Sequence, residues 1–225
     1  MMTSMTKKAA WLVLLCGLAA PVMAQEAGSW SLRFGGSKIM PQVKSGDLSA
    51  PSLAGTKIDV RDASQVGGGI TYMLTDHVAI DLPLSLPFEH DVVGDGAISG
   101  VGRIGSVKAL PITLMAQYRF LEPKATFRPY VGAGLTYAKF YKARTTAVLT
   151  ALTGGTPSNP TTMNVDSELG YTAQVGVIVR LADRWSFDAT VLKTLLKTKG
   201  QLSTGQSIDF RIDPLTVCLG VGYTF

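Results

Sequence analysis

Alternation of apolar with small or polar residues is the feature that most constrains how this chain folds. In the last segment, Leu215, Val217 and Leu219 alternate with Thr216 and Cys218, and the alternation continues to the end of the chain. A period of two residues is that of a β-strand, because successive side chains point to opposite faces of a sheet. Taken alone, the segment fits either a membrane barrel or the last strand of a soluble sheet.

The same alternation recurs along the chain and gives eight predicted strands within a single domain of residues 25–225. The predicted strands span residues 30–38, 65–74, 77–88, 106–120, 127–141, 168–181, 184–197 and 213–225. All are longer than the about 5–6 residues usual in globular sheets, and they match the about 9–11 residues with which a tilted strand crosses a bilayer. Short connections alternate strictly with long ones. This pattern predicts an all-β fold, an eight-stranded antiparallel transmembrane β-barrel with short periplasmic turns and long extracellular loops.

The start of the chain predicts an export signal rather than a membrane helix. Lys7 and Lys8 precede an apolar run over residues 9–20, which is shorter than the about 20 residues that a membrane-spanning helix needs. The segment Val22-Met23-Ala24 has the residue types of a cleavage site. We therefore expect a cleaved signal peptide of residues 1–24, with Gln25 as the first mature residue. The predicted location is the outer membrane of a Gram-negative bacterium.

Aromatic side chains mark one predicted end of the barrel. They fall at the periplasmic ends of the outward faces, at Trp30, Tyr72, Phe120, Trp185, Tyr223 and Phe225. Tyrosine and tryptophan prefer the boundary between hydrocarbon and water, because a ring can lie in lipid while its edge meets the headgroups. The six positions therefore predict an interfacial belt rather than scattered core residues.

Charged residues occupy several positions that the alternation turns inward. These are Arg33, Asp81, Arg119, Arg180 and Asp188. Charges in a narrow lumen of low dielectric must be paired, so the three arginines and two aspartates predict an interior charge network. We interpret the network as structural, since eight strands leave little free lumen. A catalytic or ion-selective role is the alternative.

Several segments resemble the OmpW family of outer-membrane barrels, including its AlkL-like branch. They are residues 72–76, 87–90, 114–118, 127–134, 173–177 and the terminal strand. The resemblance implies an apolar upper lumen through which small hydrophobic molecules enter passively and leave sideways into the membrane. It also implies contact with outer-membrane lipid and lipopolysaccharide. In such barrels the closing strand is recognised by the insertion machinery, here through Val221, Tyr223 and Phe225.

The predicted extracellular loops are more apolar than exposed loops should be. They include Leu53, Ile98, Val148, Leu149 and Leu152. Such residues either line a cavity for an apolar ligand or pack the loops on one another. The family resemblance implies a constriction at two inward positions, which correspond to Pro83 and Leu192. Both are less bulky than expected there, so the gate is predicted to be wider or to lie elsewhere.

Three prolines interrupt neighbouring strands. Pro83 and Pro87 lie in the third predicted strand, and Pro111 lies in the fourth. Proline donates no hydrogen bond to a strand ladder and is normally kept out of central strands. The prolines predict a weak lateral seam between these strands in the outer half of the barrel. Alternatively, they bend the strands toward the rim.

Other signals point away from catalysis, cofactors and nucleic acid. Residues 100–105 match the dinucleotide-binding glycine pattern, but neither a strand before them nor a helix after them is predicted, so they form a loop. The only histidines, His77 and His90, lie at opposite ends of one strand, which predicts no metal site. His90 with Asp91 and Ser99 would be the sole candidate triad, and no spacing supports it. The mature charge, 19 − 16 = +3 once the two signal-peptide lysines are removed, is too mild for nucleic acid.

Two functions therefore stay open at the level of the sequence. The first is a passive transport barrel for small hydrophobic molecules, which the apolar loops favour. The second is a closed structural or receptor barrel whose extracellular loops dock macromolecules, which the polar interior suits equally well.

Overall fold

The computed structural model describes residues 25–225, so the predicted signal peptide and its cleavage site lie outside the described residues. The strands are β1 (Trp30–Met40), β2 (Lys44–Ser45), β3 (Thr56–Val60), β4 (Ala63–Met73), β5 (Val78–Ser85), β6 (Phe88–Gly96), β7 (Arg103–Arg119), β8 (Phe127–Thr145), β9 (Met163–Val165), β10 (Glu168–Arg180), β11 (Trp185–Leu195), β12 (Lys197–Leu202), β13 (Ser207–Arg211) and β14 (Leu215–Thr224). One helix, α1 (Ala147–Leu152), follows β8. Within residues 25–225, no helix has the length and apolar character to cross a membrane.

The main sheet closes on itself as an antiparallel barrel. Its strand order is β3-β6-β7-β5-β4-β1-β14-β11-β10-β8, and β8 pairs in turn with β7. Strands β5 and β6 follow one another along the same side of β7, and β3 pairs only with β6. The wall therefore has eight strand positions, and the predicted fold class is confirmed.

The regions predicted as extracellular loops contain more regular structure than expected. In the segment of residues 89–105, residues 89–96 belong to strand β6 and residues 103–105 to β7, with which β6 pairs. Strands β2, β13, β12 and β9 form a separate four-stranded sheet. These strands escaped prediction because they are too short for their alternation to be distinguished from loop sequence.

The outward face of the barrel is apolar and ends in an aromatic belt. Phe34 is 72% exposed and Tyr171 is 75% exposed, as expected for side chains that face lipid on the outside of a barrel. At the end where the chain terminus meets β1, the rings of Trp30 and Tyr72 lie 4.7 Å apart, and those of Trp185 and Tyr223 lie 5.0 Å apart. The belt therefore lies where the sequence predicts it.

The side chains inside the barrel are polar near one end and apolar near the other. Near the aromatic belt, the inward side chains are polar or charged and buried, among them Arg119, Arg128 and Asp81. At the opposite end, the buried residues form an apolar cluster that includes Val107 of β7 and Phe210 of β13. The barrel thus has a polar half and an apolar half, and the four-stranded sheet covers the apolar one.

Candidate binding chamber and its polar floor

An apolar chamber occupies the extracellular half of the barrel. It contains about 1790 Å³ of empty space, including its open mouth. Strand alternation builds its walls: in β13, Ile208 and Phe210 line the chamber, while Asp209 and Arg211, which alternate with them, are exposed. The chamber is therefore a product of the two-residue period, extended above the membrane by the smaller sheet.

Helix α1 closes part of the chamber wall. The hydroxyl of Thr146 caps the helix by accepting a hydrogen bond of 3.4 Å from the backbone N–H of Leu149. Leu149 and Leu152 line the chamber, whereas Val148 is exposed and does not line it. Val148 was predicted as a lining residue, but it does not border the chamber, although it lies one helical turn before Leu152.

Most of the other predicted chamber residues lie where the sequence suggests. Leu53, Ile98, Pro83 and Leu192 all line the cavity. Leu192 is buried on β11 at the lower end of the chamber, where it also lines a smaller cavity below. The structure thus brings together residues from three of the predicted loops and two of the predicted strands.

A buried histidine lines the chamber. His90 of β6 is buried, and its Nδ1 lies 2.8 Å from the backbone oxygen of Arg61. Beside it, the outward-facing Lys108 and Glu89 form an ion pair of 3.6 Å, which places this level above the hydrocarbon. Burial lowers the pKa of His90, because the charged form loses hydration. The imidazole is therefore held neutral at neutral pH.

A small cavity of about 340 Å³ lies at the floor of the chamber, and both apolar and hydrogen-bonding residues line it. Arg33, Asp188, Gln174 and Thr190 line it, and Leu192 lines both this cavity and the chamber. The two spaces therefore adjoin, with apolar walls above and hydrogen-bonding groups below.

A buried charge network holds the floor. Arg33 donates to Asp81 Oδ1 at 2.6 Å and to Asp188 Oδ1 at 3.2 Å. Asp81 also accepts from the hydroxyl of Thr71 at 2.6 Å, and Asp188 accepts from the hydroxyl of Tyr130 at 3.1 Å. Every charge in this group is paired and further hydrogen-bonded, as burial requires. The predicted partnership of Arg33 with the two aspartates is thus present.

Of the other two arginines predicted in this network, Arg119 lies over the ring of Tyr130 at 6.0 Å from the ring centroid, so it borders the network without a direct ion pair. Arg119 donates to the side-chain oxygen of Gln25 at 2.7 Å, and Arg180 donates to the backbone oxygen of Pro123 at 2.6 Å. Among residues 25–225, neither forms an ion pair with a carboxylate. Both lie nearer the periplasmic end, where turns and the first described residues present oxygens. Alternation predicts the face on which a side chain lies but not its height in the barrel.

Strand pairing is interrupted at the predicted seam. Strands β5 and β7 are in register from Val78 to Asp81, and pairing with β7 resumes only at Phe88 of β6. In the described ladders, residues 82–87 have no partner on β7 and residues 110–114 have none on β5 or β6. All three prolines, Pro83, Pro87 and Pro111, fall within these segments, and Pro83 and Pro111 also line the chamber. The gap thus adjoins the cavity.

The residues of the predicted insertion signal face outward at the periplasmic end. Val221 and Phe225 are exposed, and the rings of Tyr223 and Phe225 lie 4.9 Å apart. The backbone N–H of Phe225 donates to Trp30 at 2.8 Å, so the terminal residue meets the start of β1.

The sequence interpretation missed two sets of polar residues. A line of threonine hydroxyls crosses four strands, with oxygen separations of 2.8, 2.6 and 2.9 Å between Thr113, Thr136, Thr172 and Thr194. Tyr130 and Thr71 complete the charge network. The alternation in the sequence already placed these side chains inside the barrel. Their hydrogen-bond partners depend on the stagger between strands, which the sequence alone does not give. In residues 25–225, no group of three or more His, Cys, Asp and Glu side chains is placed to hold a metal ion.

Three basic residues form a row on the outer face of the small sheet. Arg211 of β13 is in register with Lys197 of β12 on one side and with Lys44 of β2 on the other. All three are exposed, and Arg211 also contacts Asp213 at 2.9 Å. Like charges directly opposite each other destabilise a sheet, so the row favours an anion nearby.

Comparison with known proteins agrees with this architecture. The sequence profile of the OmpW family matches residues 26–225. Outer membrane protein W of Vibrio cholerae is 31% identical over 94% of this chain and 98% of its own length. Outer membrane protein AlkL of Ectopseudomonas oleovorans is 24% identical over 88% of this chain and 83% of its own. The crystal structure of outer membrane protein OprG from Pseudomonas aeruginosa superposes with a TM-score of 0.79 at 26% identity, covering 89% of this chain and 97% of OprG.

The predicted location is confirmed. A closed barrel with a lipid-facing apolar surface, together with relatives named as outer-membrane proteins, places the chain in the outer membrane of a Gram-negative bacterium.

Proposed function

Since the chain belongs to the OmpW family, we propose that it admits small hydrophobic molecules passively through its apolar chamber. The observation that carries this proposal is the chamber itself, whose lining is predominantly aliphatic and aromatic. Residues of the extracellular segments, such as Leu149 and Phe210, contribute to that lining instead of meeting water. A concave apolar space of this kind favours an apolar ligand, because binding removes hydrophobic surface from water.

The primary test is uptake in outer-membrane vesicles with and without the protein. An aromatic probe whose fluorescence rises in hydrocarbon should enter faster when the protein is present. Leu192→Asp places a charge at the base of the chamber and should slow entry while the barrel stays folded. Val148→Asp makes the same kind of change at an exposed residue of α1 that does not line the chamber, and should leave entry unchanged. Equal rates in vesicles with and without the protein would refute the proposal.

The interrupted pairing between β5 and β7 supports a lateral exit into the membrane. Its residues 82–87 and 110–114 form no ladder in the described chain, and Pro83 and Pro111 also line the chamber. A solute in the chamber would thus meet a section of wall that is not held by strand hydrogen bonds. We infer that this seam, rather than the barrel axis, is the way out.

A pair of disulfide cross-links tests the seam, in a Cys218→Ser background. Cysteines at Leu84 and Ile112 would span it, because these outward positions face each other when the register of Asp81 with Met115 is extended into the unpaired segment. Cysteines at Ile80 and Ala116 provide the control, because these residues are already paired below the seam. The seam cross-link should block uptake until it is reduced, and the control cross-link should not. Unchanged uptake with the seam locked would remove lateral exit.

The second candidate is a closed barrel that serves as a docking site for macromolecules. The filled floor favours it, because Arg33, Asp81 and Asp188 occupy the lumen below the chamber. The small sheet would then act as a rigid platform for the partner. The vesicle comparison separates the two functions, since a closed receptor does not accelerate entry of any probe.

The terminal strand carries a further inference about assembly. We infer that the insertion machinery recognises the outward side chains of Val221, Tyr223 and Phe225. The exposure of Val221 and Phe225 on the lipid-facing side of β14 and the position of Phe225 against β1 support this role.

A further inference from the structure

His90 presents to the chamber a nitrogen atom that makes no hydrogen bond within the described chain. The side chain is 4% exposed and lines the chamber from the inward face of β6. Among residues 25–225, its Nε2 has no hydrogen-bond partner. The buried atoms without a partner in this part of the chain are Nε2 of Gln174 and Oγ of Ser52, whereas Nε2 of His90 keeps contact with open space. Because the chamber is the cavity that His90 borders, this nitrogen is accessible to a molecule inside it.

The contact at the other ring nitrogen determines which hydrogen bond Nε2 can make. Nδ1 lies 2.8 Å from the backbone oxygen of Arg61, and a carbonyl oxygen can only accept, so Nδ1 carries the ring proton. The imidazole is neutral at neutral pH, because burial lowers its pKa. A neutral ring with its proton on Nδ1 has a lone pair on Nε2. Nε2 is therefore an acceptor, and the bond to Arg61 fixes its direction.

The residues next to this acceptor are apolar. Phe88 and Val92 are its inward neighbours on β6, and Val107 is its partner on β7. All three are buried and line the chamber. The rings of His90 and Phe88 are stacked, with centroids 6.2 Å apart and planes inclined by 26°. This part of the wall thus combines one directed acceptor with aliphatic and aromatic surface.

Such a combination favours a neutral hydrogen-bond donor on an apolar molecule. An ionised carboxylate has no proton to donate, and an ammonium group would lose its hydration in apolar surroundings. A phenol is neutral at pH 7, since its pKa is about 10, and its acidic proton makes it a better donor than an aliphatic alcohol. We propose that His90 is a subsite for the hydroxyl of phenols, whose ring lies against the apolar wall of the chamber. This inference rests on the proposed uptake of hydrophobic molecules and specifies a preferred class among them.

The first test is binding of para-cresol, para-methylanisole and para-xylene to the full chain in lipid nanodiscs, with empty nanodiscs to correct for partition into lipid. The anisole retains the oxygen without a proton to donate, and the xylene has neither. His90→Phe keeps a ring but removes the acceptor, so it should weaken binding of para-cresol about fivefold, the usual effect of one hydrogen bond, and leave the other two affinities unchanged. His77→Phe makes the same substitution outside the chamber, where Nδ1 likewise lies 2.9 Å from a backbone oxygen, and should leave all three affinities unchanged.

A direct readout does not depend on a variant that folds. The nitrogen resonance of His90 Nε2 in the wild-type protein should shift when para-cresol is added and should not shift with para-xylene. An unchanged resonance at saturating para-cresol, as expected if only water satisfies Nε2, would overturn the subsite. So would unaltered binding of para-cresol in His90→Phe, or an equal loss of affinity for all three compounds.

Vesicle uptake separates this proposal from the one on which it rests. Accelerated entry of para-xylene, together with unaltered binding of para-cresol in His90→Phe, would retain uptake and exclude the subsite. Weaker binding of para-cresol in His90→Phe, without accelerated entry of either compound through the wild-type protein, would retain the subsite and exclude uptake.

Discussion

Removing Arg33 should destabilise the barrel far more than removing a neighbouring surface lysine. In the network, the side chain of Asp81 is 0% exposed and that of Asp188 is 5% exposed, so Arg33→Met leaves two buried carboxylates without their cation. Breaking a buried ion pair by removing one partner costs about 3–5 kcal/mol. Two stranded carboxylates place the expected loss in unfolding free energy toward the upper end of that range.

Lys38 on the same strand provides the matched control. It pairs with Asp62 at 3.0 Å, and the two side chains are 51% and 49% exposed. Exposed pairs contribute about 0–1 kcal/mol because water and salt screen them, so Lys38→Met should have little effect.

Both effects can be measured by urea unfolding of the protein in lipid vesicles. The fluorescence of Trp30 and Trp185 in the aromatic belt monitors the unfolding. Adding Asp81→Leu and Asp188→Leu to Arg33→Met should recover most of the lost stability, since apolar replacement of a buried network is often close to neutral. Equal losses for Arg33→Met and Lys38→Met would show that the floor is well hydrated and would refute this reasoning.

Three further predictions concern the chamber wall, the outer rim and assembly. The free energy of unfolding should fall as the pH is lowered below about 6.5. Burial lowers the pKa of His90 in the folded protein, so the unfolded chain binds the proton at a higher pH than the folded one. His90→Gln should make unfolding curves measured in vesicles less dependent on pH. The basic row of Lys44, Arg211 and Lys197 is expected to contact the phosphates of lipopolysaccharide. Replacing all three residues by glutamine should reduce the amount of lipopolysaccharide that copurifies with the protein, and the difference should shrink as the salt concentration rises. An unchanged amount would contradict this contact. Deleting Phe225 should slow insertion by the purified machinery, measured as the rate at which the heat-resistant folded band appears on gels, and an unchanged rate would exclude it from the signal.

The barrel could be predicted from the sequence because its signal is repeated eight times. Each wall strand buries one face and exposes the other, so the two-residue period marks it wherever it is long enough. The small sheet could not be predicted in this way. Strand β13 has only five residues, and its alternation of Ile208 and Phe210 with Asp209 is too brief to distinguish from an apolar loop.

The site was predictable in composition but not in pairing. The alternation correctly assigned Arg33, Asp81 and Asp188 to the lumen, and these three side chains lie at the same height along the barrel axis. The same parity placed Arg119 and Arg180 inward, yet it contains no information on stagger, and their partners are amide and backbone oxygens rather than the aspartates: Arg119 donates to Gln25 and Gln117, and Arg180 to Pro123. Contacts across a barrel depend on strand tilt and shear, which are properties of the closed sheet rather than of any one strand.

The two halves of the barrel together determine the easier path for an apolar solute in the chamber. Descent along the axis would require separation of Arg33 from its aspartates in a low-dielectric lumen, at a cost of about 3–5 kcal/mol. Passage through the seam breaks no described β5–β7 hydrogen bond, whereas each ordinary ladder bond contributes about 0.5–1.5 kcal/mol. Prolines at 83, 87 and 111 also remove three N–H groups that would otherwise lie unpaired beside lipid, where each such group costs several kcal/mol. The proposed lateral route is therefore favoured both by what the floor contains and by what the seam lacks.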